Sequence, residues 1–485
     1  MKAWKTSLFI LSVVIMLIAI SWVYPNNNIT ISGFTIKFAN QKSITQRYTI
    51  PKNDFDPGLV ASANGVFTFE SKFQKIHQAI IDYVPPKTPL DLLEDQLLAQ
   101  LGRIYTPQDK CNWFNPLFQH LDSAQTKSMR IMHYGDSQIE EDHITGKFRE
   151  LIQTKFGGYG VGLLPLYQSI PSTAIAQRIN PIPPRFLAYG PKSLRHEEGF
   201  YGPMGLSTYI NGNYTVSFSK INLKYTSKQT KSWSKITLIC GTIEDTLKIK
   251  GSMMRKIRPQ NNAFITKQFK KKTQYSQLEI SGKGTIYGIS LDSPTGVQVD
   301  NIPMRGCSGT IFRRIHSVSL TPYFKHFNVP LIILQYGGNT VPYIKGTKAI
   351  TNYCANIEKQ IQYLQRCAPH AQFLFIGPSD MSTINNGIRQ SYPNLKPLIK
   401  ELKETCLSNN IAYWNLYEAM GGYNSMIKWV EKGYAGSDYI HFSNKGSTKT
   451  GELLFESLMK YYEYYQLQQS IKQSCAKASI KQTQN

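Results

Sequence analysis

Residues Met129–Glu141 read MRIMHYGDSQIEE, and this stretch constrains the fold more than any other. An apolar, strand-like run, Met129–Tyr134, stops at Gly135-Asp136-Ser137. A helical pattern follows, with Ile144, Phe148, Leu151, Ile152 and Phe156 spaced for one face. A strand that turns straight into a helix puts Ser137 at the carboxyl edge of a sheet, where open α/β sheets carry their chemistry. The Ser137 N–H is then free to help bind an oxyanion. Taken alone the tripeptide has a plainer reading, a turn in which Asp136 or Ser137 caps the helix.

The pattern returns after Asp300. Strand-like runs at 329–336, 372–376 and 411–415 alternate with helical patterns at 349–366, 395–407 and 448–462. Such alternation predicts a mostly parallel sheet with helices on both faces. Between the two parts lie short β runs at 215–225, 236–239, 246–250, 276–281 and 285–291, without a helical pattern. They predict a small β-sandwich inserted into the α/β domain, with a bulge where the alternation in 215–225 slips by one residue. The insert carries Lys250, Arg255, Lys256, Arg258, Lys267, Lys270, Lys271 and Lys272. These form either a solvated basic face or a platform for an anionic polymer. The expected organisation is a membrane segment at 1–24, an N-terminal extension at 25–100 and an α/β domain in two parts at 101–194 and 301–465. The β insert occupies 195–300, and a polar, frayed tail 466–485. A helix at 90–101 is expected to pack on the α/β core, and Gly157–Gly162 reads as a turn, lacking the Lys-Ser/Thr of a phosphate loop.

The formal net charge is +24 over 485 residues, which favours polyanionic partners. The first segment argues against nucleic acid. Lys2 and Lys5 precede an uncharged apolar run, Ser7–Tyr24, about as long as a membrane helix. With the lysines on the cytoplasmic side, the body of the chain faces the periplasm or cell exterior. Ala19-Ile20-Ser21 resembles a signal-peptide cleavage site, but the length of the run favours an uncleaved anchor. The seven cysteines are scattered without C-x-x-C spacing, and the nine histidines form no close metal-binding pair.

Three further stretches carry chemistry. Gly337-Gly338-Asn339 closes a buried strand, where the Asn339 amide is suited to donate to an oxyanion, or to an Asx turn. Asp438-Tyr439-Ile440-His441 precedes the last helix. On a tight loop, Asp438 holds the Nδ1–H of His441 while Nε2 faces a serine; the plain alternative is a cap and a loop histidine. Gly306-Cys307-Ser308-Gly309 is a second glycine turn. Gly309 is its candidate oxyanion donor, with Gly306 as competitor, and Ser308 is a rival nucleophile without the full G-x-S-x-G spacing.

The order G-D-S, glycine turn, G-x-N, D-x-x-H resembles the SGNH (GDSL-type) hydrolase superfamily over 129–156 and about 300–462. The resemblance implies a flavodoxin-like three-layer α/β/α domain. It implies Ser137 as nucleophile, Asp438 and His441 as the rest of a triad, and the Ser137, Gly309 and Asn339 groups as oxyanion hole, with no metal or organic cofactor. Thr340 stands where that family often has Asp. A β-sandwich inserted after the G-D-S helix resembles the periplasmic peptidoglycan O-acetylesterases. The expected activity is removal of O-acetyl groups from an envelope polysaccharide such as peptidoglycan. Two alternatives remain. One is a polysaccharide O-acetyltransferase served by a polytopic membrane acyltransferase; the other is a non-catalytic glycan-binding protein with this fold.

Overall fold

The computed structural model describes residues 28–31, 34–37, 87–223 and 227–483. The chain divides into two units, 1–86 and 87–485. In the first, β1 (Asn28–Ile31) and β2 (Phe34–Lys37) pair antiparallel, with Ile29 opposite Ile36. The expected membrane segment lies outside the described residues. Among those described, no helix is long and apolar enough to cross a membrane.

The second unit opens with α1 (Pro89–Ala99), started by a capping box between Thr88 and Asp91 with Pro89 in its first turn. Next come β3 (Ile104–Tyr105), α2 (Asn115–Asp122), β4 (Ser128–Gly135), a 3₁₀ stretch (Ser137–Asp142) and α3 (Thr145–Phe156). The β insert follows as β5 (Gly162–Leu164), β6 (Ile175–Asn180), β7 (Arg185–Leu187), β8 (Leu206–Lys220) and β9 (Trp233–Ile243). It continues with β10 (Leu247–Gly251), β11 (Arg255–Ile257), β12 (Phe264–Thr273) and β13 (Tyr275–Asp292). The chain returns through β14 (Gly296–Pro303), α4 (Ser317–His326), β15 (Leu331–Gln335), α5 (Gly346–Cys367) and β16 (Gln372–Ile376). A hairpin, β17 (Ser382–Asn385) and β18 (Ile388–Ser391), precedes α6 (Leu395–Ser408) and β19 (Ala412–Trp414). Three helices end the chain: α7 (Leu416–Met420), α8 (Ser425–Glu431) and α9 (Asn444–Thr483).

The central sheet has the order β14-β4-β15-β16-β19-β3. All neighbours are parallel except the edge pair β19–β3. Numbered by their sequence in the chain, the five parallel strands run 2-1-3-4-5, the flavodoxin-like order. Alternate residues of each strand enter opposite cores. Ile131, Ile333 and Leu374 join residues of α1, α2, α3 and α9. Met132, Leu334 and Phe375 join those of α4, α5 and α6. Each fully buried aliphatic side chain of this kind stabilises the fold by roughly 1.5–3 kcal/mol. The chain leaves β4 for β14 on one side and later returns to β15 on the other, so the carboxyl end of β4 lies at the switch point of the sheet.

The β insert differs from expectation in two respects. Its nine strands form one continuous antiparallel sheet, not two packed sheets. The reason is β13, whose first half pairs with β10 and second half with β9, while β8 and then β5 run along its other edge. The register slips between Gly284 and Gly288, where the sheet folds around one apolar core. The insert also begins before 195, since β5, β6 and β7 belong to it, and β14 belongs to the parallel sheet. Those three short strands show no alternation to announce them, and alternation in β14 cannot tell a parallel from an antiparallel partner. Among the described residues of 215–225 no bulge occurs; β8 keeps an unbroken register to Ser219 and ends at Lys220, because its partner β13 begins only at Tyr275. All eight basic residues singled out in the insert are exposed. The described part of the expected polar, frayed tail, 466–483, continues α9, which holds no proline and no glycine after Gly451 to stop it.

Candidate active site

β4 is buried along nearly its whole length and delivers Gly135-Asp136-Ser137 to the carboxyl edge of the sheet. Ser137 starts a 3₁₀ turn rather than the α-helix itself. The Asp136 carboxylate caps that turn, accepting from the Gln138 N–H at 3.0 Å. Glu141, Asp142 and Ile144 then take φ of 57°, 72° and 54°, and for β-branched Ile144 that conformation is strained. The buried Arg149 guanidinium fastens the segment by donating to both oxygens of Asp142 at 2.6 and 2.8 Å. The Thr173 hydroxyl donates to the Glu141 carbonyl at 2.6 Å.

The D-x-x-H loop meets this turn from the far end of the chain. Ser137 Oγ lies 3.0 Å from His441 Nε2, and His441 Nδ1 lies 2.7 Å from Asp438 Oδ2. The other Asp438 oxygen accepts the backbone N–H groups of Ile440 and His441 at 3.0 and 3.1 Å. Burial raises the Asp438 pKa, but the bond from His441 and the two amides outweigh it and hold the carboxyl below its ordinary value. Asp438 therefore stays ionised and keeps the imidazole proton on Nδ1, leaving Nε2 as acceptor for the serine hydroxyl. The His441 and Asp438 side chains are 49% and 48% exposed, so the arrangement is open to a large substrate.

Asn339 stands on the neighbouring strand end. Its amide donates to Asp136 Oδ2 at 2.9 Å and to the Cys307 carbonyl at 3.2 Å, so both N–H groups are engaged. Asp136 is 4% exposed. Burial pushes its carboxyl up to about 6, against the Gln138 amide, His441 and Asn339, which favour the charged form. A hollow of about 160 Å³ is lined by Ser137, Asn339, Pro342, Tyr343, Met381 and His441 among others.

Ser137, Asp438, His441 and Asn339 thus come together. Gly309 stands differently: its N–H points at Cys307 Sγ at 3.3 Å, and it lies buried under the Tyr336 ring, where a Cβ would come within 2.8 Å of ring carbon. Its competitor Gly306 is exposed, with φ +72° and open space around it. No histidine bonds the Ser308 hydroxyl among the described residues, which leaves this rival nucleophile without a base.

Three contributors were not singled out in the sequence. Gln138 donates to the Ile440 carbonyl at 2.7 Å, tying the serine turn to the histidine loop. Arg389 stacks 3.8 Å from the Tyr439 ring centroid, and the Ser382 N–H donates to the Tyr439 carbonyl at 3.2 Å. The hairpin supplying these contacts had a local signal, Asn386-Gly387, with φ of 50° and 78°.

No protein-family model matches this chain, and no curated protein matches it by sequence. Solved structures do. A peptidoglycan O-acetylesterase superposes with a TM-score of 0.60 at 19% identity, covering 74% of this chain and 97% of that chain. An acetyl xylan esterase matches at 14% identity and TM-score 0.25, covering 33% of this chain and 81% of its own. A family two carbohydrate esterase from Cellvibrio japonicus matches at 10% identity and TM-score 0.24, covering 60% and 99%. The chain has a mixed α/β fold that resembles the peptidoglycan O-acetylesterase in architecture.

Proposed function

We propose that this protein is a serine esterase that removes O-acetyl groups from an envelope polysaccharide such as peptidoglycan. The observation that carries the reading is the unbroken Asp438–His441–Ser137 hydrogen-bond chain, half exposed at the switch point of the sheet. The fold shared with a peptidoglycan O-acetylesterase supports the choice of ester. The N-terminal lysines and apolar run support an exported protein held at the membrane, facing the periplasm or cell exterior.

Ser137 Oγ attacks the acetyl carbonyl carbon while His441 Nε2 takes its proton, and Asp438 stabilises the imidazolium. The oxyanion is met by the Ser137 N–H and by the Asn339 amide, which exchanges its longer bond, to the Cys307 carbonyl, for the new charge. Gly309 contributes only if its N–H leaves Cys307 Sγ. The His441 proton passes to the sugar oxygen as the C–O bond breaks, leaving acetyl-Ser137. Water attacks that ester, its proton goes to His441, and acetic acid and free Ser137 result.

The test is acetate release from 4-nitrophenyl acetate and from O-acetylated peptidoglycan by the full-length chain in detergent. Ser137→Ala and His441→Ala should each lower kcat by about 10⁴–10⁶-fold. No release by the folded wild type would overturn the reading, and acetyl transfer to an added glycan in its place would make the protein a transferase.

A further inference from the structure

A second cavity, of about 250 Å³, opens on the other side of the turn that carries Ser137. One turn serves both hollows. Ser137 and Gln138 face the first, and Glu140, Glu141 and Asp142 line the second. Across from Glu140 stands Arg305, which immediately precedes the Gly306–Gly309 turn and pairs with Glu140 at 3.4 Å. The cavity therefore adjoins the site of ester chemistry along the carboxyl edge of β4 and β14.

Its floor is apolar, built from Leu163, Leu187, Met204, Leu206 and Ile302. Two of the charges in its walls are matched, Asp142 by Arg149 and Glu140 by Arg305, while Glu141 and Arg185 line it as well, Arg185 lying over the Tyr167 ring and donating to the Ser169 hydroxyl. Several polar groups are left over, the Tyr167 hydroxyl and Asn301 Oδ1 among them. Among the described residues, neither the Tyr189 hydroxyl nor the Gln168 amide has a protein hydrogen-bond partner, and both residues line the cavity. Burial pushes the Tyr189 hydroxyl up to about 12, so it remains a neutral donor. A mostly apolar hollow with a few unspent polar groups is the usual form of a small-molecule site. A charged ligand would have to give up its water against this apolar floor, which is costly. An uncharged pyranose ring meets both demands, with C–H faces for the floor and the Tyr167 and Tyr189 rings, and hydroxyl or acetamido groups for the polar rim. The volume lies just below the ~300 Å³ at which small-molecule pockets begin, room for one ring and not for a chain of them.

We propose that this cavity is a sugar subsite, holding an uncharged pyranose unit of the glycan beside the unit whose acetyl ester lies at Ser137. The inference rests on the esterase reading and adds the anchor point of its polymer. It is tested with full-length wild type, Gln168→Trp, which fills the cavity from its rim, and Tyr189→Phe, which removes only the free hydroxyl. The measurement is the ratio of kcat/KM on O-acetylated peptidoglycan to kcat/KM on 4-nitrophenyl acetate, an ester without sugar. The ratio should fall by about tenfold or more in Gln168→Trp, and by about fivefold in Tyr189→Phe, as expected for one lost hydrogen bond, with the change in KM. A ratio unchanged in both variants overturns the subsite while leaving the esterase reading intact. If wild type releases no acetate from either substrate, the esterase reading fails and binding of N-acetylglucosamine oligomers decides the subsite by calorimetry. Binding to wild type that is lost in Gln168→Trp supports it, and absence of binding to wild type overturns it.

Discussion

Asp136 and Asn339 show how much of a site can hang on one buried bond. Asp136 accepts the Gln138 N–H on one oxygen and the Asn339 amide on the other, while burial pushes its carboxyl from 3.8 to about 6. A folded pKa above the unfolded one means that the folded chain takes up the proton first. Falling pH through about 6 therefore stabilises wild type relative to a variant without the group, and rising pH removes that advantage. Urea unfolding of wild type and Asp136→Asn at about pH 4.5 and about pH 7.5 should show the stability difference shifting toward wild type at the lower pH. An equal difference at both would place the Asp136 pKa at its ordinary value. Asn339→Ala should lower kcat about 10²–10³-fold on 4-nitrophenyl acetate. A silent variant would take Asn339 out of the oxyanion hole. Ser137, Asp438 and His441 were legible as candidates because a strand end and a three-residue spacing are local patterns. The bond between Asp136 and Asn339 was not, since it joins positions 203 apart.

The histidine loop is held by elements on three sides. Asp438 turns it locally, Gln138 grips the Ile440 carbonyl, and the β17–β18 hairpin covers Tyr439, which itself takes φ 57°. Gln138→Ala frees one of these grips without touching the triad. It should lower kcat about 10–100-fold, with a smaller change in KM, because a reacting group displaced by about 1 Å loses a comparable factor. An unchanged kcat would show that the remaining two grips suffice. Behind the loop, α9 crosses α3 at Gly451, where a Cβ would come within 2.6 Å of the Ile144 carbonyl oxygen and 2.9 Å of Lys147 Cβ. Gly451→Ala should therefore destabilise the protein by about 1–3 kcal/mol, read as a lower urea midpoint with an unchanged slope. The types of these helices were readable from their apolar spacing. The crossing was not, because a glycine inside a helical pattern says nothing of the backbone it must admit.

Across the whole second unit, the β insert is fastened to the parallel sheet by a buried ion cluster. Arg130 of β4 bonds Asp300 of β14, Asp292 of β13 at 2.7 Å and the Ser290 hydroxyl at 3.0 Å, with every charged partner at most 2% exposed. Arg130→Ala would strand two buried carboxylates, and should cost about 3–5 kcal/mol in urea unfolding. A loss under about 1 kcal/mol would mean that water or protonation replaces the arginine. The sequence by itself determined the kinds of element, the serine at a strand end, the Asp–His spacing and the presence of a β insert. All of these follow from sterics and periodicity acting over a few residues. Tertiary structure alone decided that His441 meets a serine 304 positions away, that the strands run 2-1-3-4-5, and that the insert closes as one sheet. It also decided that the Gly309 N–H is spent on a thiol and that a second cavity backs the Ser137 turn. Each of these depends on which distant surfaces pack and in what register, and local periodicity is the same for many such choices.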